Sequence, residues 1–182
     1  YIPLKSKTIM KTTISFFTFY LLFSLGCSDR SKSEKRSPQA TLPSEVITQA
    51  NLGPSLSVSE ARNHSTSREI VVEGFIGGMK KPFSQSRAIF VLGDDSLETC
   101  DEIPEDPCPT PWDACCEDPK KITSSTISIQ VLDNNGSLLS GTLEGVAGME
   151  AGKRIKVKGI IDEKSTSHAM LLNAQVLQLQ NN

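Results

Sequence analysis

Ile127-Ser128-Ile129-Gln130-Val131 alternates apolar and polar side chains without a break. A period of two places Ile127, Ile129 and Val131 on one face, the pattern of a half-buried β-strand. The stretch continues Leu132-Asp133-Asn134-Asn135-Gly136, and its closing Asn-Gly is a strong tight-turn signal.

The same alternation recurs on both sides. Ile155, Val157 and Ile161 alternate with Lys156 and Lys158, with Gly159 between them. Leu172, Ala174 and Val176 alternate with Asn173 and Gln175. Residues 70–76 and 88–92 form two more short β-rich runs. Gly74 inside the first predicts a bulge or a sharp bend, and Gly77-Gly78 ends it. Ser57 or Ser59, ahead of Glu60-Ala61-Arg62, predicts the start of a short helix. Residues 143–149 read as one helical turn or a loop, because their glycines weaken a helix. Five short strands with glycines at the bends suit a mainly β fold, a small OB-like five-stranded barrel. A β-sandwich is the alternative, though it usually wants more strands.

Between the second and third strands lies a Cys/Pro-rich insert, taken as residues 94–120. Its centre runs from Cys100 through Pro104, Pro107, Cys108, Pro109, Pro111, Trp112 and Asp113 to Cys115-Cys116. It holds four of the five cysteines and the only tryptophan. Prolines lack a backbone donor and fix φ, so this segment is neither an ordinary strand nor a helix. Something must pin it, and cysteines do so by disulfides or by metal ligation. The spacing C-x7-C-x6-C-C matches neither paired zinc motifs nor iron–sulfur motifs. Three readings stay open for Cys100, Cys108, Cys115 and Cys116: two disulfides, a thiolate site for zinc or copper, or a redox-active pair. Trp112 and Asp113 are candidate loop-binding residues. Packing within the loop is the plainer role for Trp112, and capping a turn for Asp113. Ten carboxylates and no Lys or Arg fall between Asp94 and Asp118. Such a lobe repels nucleic acid phosphates and attracts cations.

The fifth cysteine has another setting. Met10-Lys11 is followed by an apolar run to Leu25, then Gly26-Cys27. That is the layout of a signal peptide over residues 10–26, with Cys27 the lipidated residue of the mature chain. Ser24 and Leu25 depart from the usual lipobox, which has Leu or Val and a small residue there. Residues 1–9 then read as a gene-model extension, and residues 27–57 as lipid anchor and flexible tether. The latter stretch has too few aliphatic residues to offset its ordering entropy. Residues 58–182 are the barrel domain. Export also places the remaining four cysteines in an oxidising compartment.

Val71-Val72-Glu73-Gly74-Phe75-Ile76-Gly77-Gly78, Lys81-Pro82-Phe83, Arg87-Ala88-Ile89-Phe90, Cys100, Cys108-Pro109-Thr110-Pro111-Trp112-Asp113, Cys115-Cys116 and Val157-Lys158-Gly159 occur in that order. The chain resembles small uncharacterised lipoproteins of planctomycete-type bacteria that carry a CPTPWDxCC segment. The resemblance implies an OB-fold-like domain and carries no activity. Ala114 stands where that family has an aromatic residue, so no aromatic binding role transfers to it.

Signals of catalysis are lacking. His64 lies near the tether and His168 in a polar turn, and neither is placed near a Ser or Cys nucleophile. There is no G-x-S-x-G and no phosphate-binding glycine loop. Lys156 and Lys158 form a basic strand face with few aromatics, which reads as a solvated face rather than a nucleic-acid surface. The sequence therefore predicts a membrane-anchored, periplasmic-side envelope lipoprotein that is a non-catalytic binding or structural module. Its partners are the membrane through its lipid anchor and an envelope protein or small ligand, with no nucleic acid. The alternative is a metal-binding or metal-delivery lipoprotein using the four clustered cysteines.

Overall fold

The alternating stretches become five strands in the computed structural model, which describes residues 37–105 and 107–180. They are β1 (Glu69–Ile76), β2 (Ile89–Gly93), β3 (Thr126–Val131), β4 (Arg154–Ile161) and β5 (Leu171–Leu179). They close into a barrel in the order β1-β2-β3-β5-β4, with β3 and β5 parallel and the other pairs antiparallel. This is the OB-like barrel that the strand order predicts. The Cys-rich segment lies between β2 and β3. Residues 10–26, Cys27 and the rest of 1–36 lie outside the described residues. Among the described residues, no helix is long and apolar enough to cross a membrane.

The inward residues are those that the alternation predicts on β3 and β4. Ile127, Ile129, Val131, Ile155, Val157 and Ile161 are all buried, joined by Val72, Ile76, Phe90 and Leu92 from β1 and β2. Burying each such side chain contributes roughly 1.5–3 kcal/mol. Just after Gly74, β1 takes up β2 on its second edge while still paired with β4; a Cβ at Gly74 would lie 2.3 Å from the Gly93 carbonyl oxygen. The Asn135-Gly136 signal holds as well. The Gly136 amide donates to the Asp133 carbonyl at 3.0 Å, and Leu132 bridges to Leu138.

On β5 the sequence phase fails halfway. Leu172 is buried as expected, but Leu177 rather than Val176 completes the inward face. The register shows why. Lys158 pairs with Val176 while Gly159 pairs with Ala174, so Gln175 is an extra residue. A bulge of one residue moves every later side chain to the other face. Gly159 permits it, since a Cβ there would meet the Asn173 carbonyl oxygen at 2.4 Å.

The folded unit also begins earlier than residue 58. Ala40 and Val46 are buried, and Ile47 and Leu56 form bridges to Leu177 of β5 and Val72 of β1. The Leu56 amide donates to Val71 and the Thr48 amide to Leu177, at 2.8 and 3.0 Å. These contacts correct the tether reading for residues 37–57. β1 and β5 each leave part of an edge unpaired in the barrel, and this stretch covers those edges.

Helix α1 (Val58–Ala61) starts at Ser57, whose side chain accepts from the Glu60 amide while Glu60 reaches back to the Ser57 amide. That is a capping box. Asp94, just past β2, accepts from the Ser59 amide at 2.7 Å and so ties α1 to the barrel. Helix α2 (Pro119–Ser124) follows the insert. Its cap Asp118 accepts from the Lys120 amide at 2.7 Å, with Pro119 in the first turn. Asp-Pro is a legible start signal that the strand reading passed over. Residues 143–149 hold one 3-10 turn, Val146–Gly148, between buried Leu143 and Met149.

Candidate metal centre

The cysteine segment doubles back on itself. Cys100 begins a 3-10 turn, Cys100–Glu102, in which the Thr99 amide donates to the Glu102 carboxylate at 2.8 Å. The Cys100 amide donates to the Asp113 carbonyl at 2.8 Å, and the Asp101 amide to Pro111 at 3.3 Å. The Asp113 amide in turn donates to Thr110 at 2.9 Å. Prolines leave few amides for such bonds, and those of Cys100 and Asp101 bring the two ends of the segment side by side.

A small apolar core anchors the segment. Leu97 and Ala114 pack with Phe75 of β1, and Ile122 of α2 lies against them. The sequence reading gave this role to Trp112. Instead, Trp112 is half-buried at the edge, its indole N–H donating to the Lys80 carbonyl at 3.3 Å. Ala114 belongs to this core, at 1% exposure. Asp113 is buried and acts through its backbone, holding Cys100 and closing the turn from Thr110.

The result is a meeting of sulfurs. The Sγ atoms of Cys100, Cys108 and Cys115 lie within 4.8 Å of one another. Cys100 and Cys115 approach to 3.5 Å, and Cys115 and Cys116 to 4.0 Å. Cys100 is buried and Cys115 exposed, so the cluster opens to solvent on one side. The Thr110 hydroxyl lies 3.2 Å from the Cys108 sulfur and steadies it. Burial pushes the Cys100 thiol far above its ordinary range; the Cys108 and Cys115 side chains push the same way, and a backbone hydrogen bond at Cys115 opposes them. Three thiolates this close repel one another, and a cation at their centre offsets that repulsion.

The donor set fits a soft or borderline ion. Sulfurs that share a tetrahedral zinc at 2.3 Å stand about 3.8 Å apart. The Cys100–Cys115 and Cys115–Cys116 separations, 3.5 and 4.0 Å, lie on either side of that value. Cys100, Cys108 and Cys115 would supply three ligands to such an ion, with Cys116 beside Cys115 as a candidate fourth.

The other residues singled out from sequence do not gather here. Lys156 pairs with Glu73 at 3.4 Å and Lys158 with Glu69 at 3.1 Å, so that strand face is a lattice of mixed charge. Arg154 takes Asp95 in a two-pronged pair at 2.6 and 2.8 Å and also reaches Glu73. Asp95 first, and Glu73 with it, hold that guanidinium firmly protonated. A cleft of about 380 Å³ beside the segment is lined by Phe75, Pro111, Trp112 and Arg154 among others. His64 lines a separate cleft with Arg62 and Thr166, and His168 sits in the exposed β4–β5 connection.

Comparison with protein-family models, curated proteins and solved structures finds no match for this chain.

Proposed function

We propose that this protein is a non-catalytic, lipid-anchored envelope module whose OB-like barrel presents a thiolate centre for a soft metal ion. The observation that carries the reading is the convergence of the Cys100, Cys108 and Cys115 sulfurs within 4.8 Å. Two independent staples require only that sulfurs meet in pairs. Three mutual neighbours suit one shared ion. Thiolate ligands select zinc or cuprous copper among the common ions. The carboxylates of residues 94–118 add a field that draws cations to the segment. The anchor at Cys27 rests on the Gly26-Cys27 layout and the apolar run before it.

Each residue has a part in such a centre. Cys100 is the fixed ligand, buried and held by the Asp113 carbonyl. Cys108 is positioned by Thr110. Cys115 is the exposed ligand, open to an exchanging thiol or a partner protein. When bound, the ion replaces thiol protons and cross-links the segment, and its binding energy becomes folding energy for the loop.

The test is metal content. Protein purified without oxygen should carry close to one zinc or copper per chain. Serine at Cys108 or Cys115 should weaken zinc binding at least tenfold, while Trp112→Ala should leave it nearly unchanged. Metal-free protein with all four cysteines recovered in disulfides would replace the metal centre with a stapled binding loop.

A further inference from the structure

The Cys100 and Cys115 sulfurs, one buried and one exposed, already stand 3.5 Å apart. From this we infer that the centre releases its metal by thiol–disulfide exchange, with Cys115 the attacking sulfur and Cys100 the resolving one. The inference rests on the metal reading above.

Cys115 is the member of the pair that an external disulfide can reach. Its thiolate attacks one sulfur of that disulfide, R–S–S–R. The R–S bond to the departing sulfur is untouched; the S–S bond breaks, one R–S⁻ leaves, and Cys115 carries the mixed disulfide. The Cys100 sulfur then attacks the Cys115 sulfur. The mixed disulfide breaks, a second R–S⁻ leaves, and a Cys100–Cys115 bond forms. Two cysteine sulfurs are oxidised and one external disulfide is reduced, so the electrons balance. Their two negative charges leave on the R–S⁻ products, and the ion loses two of its ligands together.

The geometry selects Cys100 over the alternative resolver. Cys116 is 4.0 Å from Cys115, but a bond between sequence neighbours closes a small strained ring around one peptide. Cys100 lies across the segment, where the backbone bonds at Asp113 and Pro111 already hold the two ends together. Closure there needs only a short approach of the sulfurs. An external disulfide of the exported compartment is thus both the oxidant and the trigger.

Full-chain protein, reduced and loaded with zinc without oxygen, provides the test. Zinc per chain is measured first, and failure to load sinks the metal reading and the release step with it. Oxidised glutathione is then added, zinc release is followed with a chromogenic chelator, and disulfides are mapped by mass spectrometry after alkylation. The expected result is complete release with a Cys100–Cys115 cross-link. Cys116→Ser, whatever its zinc affinity, should form the same Cys100–Cys115 cross-link on oxidation, and Cys100→Ser should accumulate glutathione on Cys115. Zinc that loads but stays bound under excess oxidant overturns the inference. So does release accompanied by a Cys115–Cys116 bond. If Cys100→Ser does not fold, the cross-link map of Cys116→Ser still decides.

Discussion

The Gly78 amide donates to the Trp112 carbonyl at 2.9 Å, and this bond fastens the cysteine segment to the end of β1. Gly78 has φ +80°, and a Cβ there would meet the Thr126 methyl at 2.9 Å. Gly78→Ala should therefore cost about 1–2 kcal/mol from the left-handed backbone alone. The loss should fall first on the segment. Proteolysis within residues 94–120 should speed up before the barrel melts, and zinc affinity should drop. A barrel that loses stability while the segment stays protected would show that this contact is not its anchor.

The barrel faces can be tested on one strand. Val157 is fully buried, whereas Ile160 is 36% exposed and pairs across the strand with Glu69. Val157→Asp should destabilise the domain by several kcal/mol, roughly, since it buries an unpaired carboxylate. Ile160→Lys should stay within about 0.5 kcal/mol of wild type. Chemical denaturation measures both, and equal losses would overturn the assignment of faces.

The bulge makes a sharper claim on β5. Leu177→Ala should cost about 2–5 kcal/mol as a core truncation. Val176→Ala should cost clearly less, because Val176 is only half-buried. A continuous alternation from Leu172 would reverse that order, so urea melts of the pair read the phase of the strand directly.

These residues also show what a sequence can tell. Alternation places β3 and β4 because each buries one face and keeps its own inward–outward phase unbroken. It fails at Gln175 because a bulge depends on the strand opposite, here on the missing side chain of Gly159. Residues 37–57 read as tether because their aliphatic residues are few; the open edges of β1 and β5 give Ala40, Val46, Ile47 and Leu56 a place that composition does not show. The sequence groups the four cysteines in one segment. Their meeting is not legible there, because it depends on backbone bonds from Cys100 and Asp101 to Asp113 and Pro111, which no spacing encodes.

Asp94 gives the fold a defined acid sensitivity. Burial opposes its charge, but the amides of Ser59 and Ser96, at 2.7 and 3.0 Å, prevail and hold its carboxyl below the usual aspartate range. A lowered folded-state pKa stabilises the native state above the unfolded value of about 3.9. That contribution is lost as pH falls through the lower folded value. Asp94→Ala should thus be less stable than wild type at pH 7 by about 1 kcal/mol, as for a lost helix cap. The gap should start to narrow below about pH 3.9 and go on narrowing as pH falls through the lower folded value. A gap that is constant between neutral and strongly acid pH would contradict the carboxylate's role.

X-ray absorption at the zinc edge of the loaded, reduced full chain tests the shared thiolate centre most directly. The account predicts three or four sulfur ligands at about 2.3 Å, falling by one in Cys108→Ser. A first shell made only of nitrogen and oxygen, or a chain that takes up no zinc while its thiols are reduced, would contradict it.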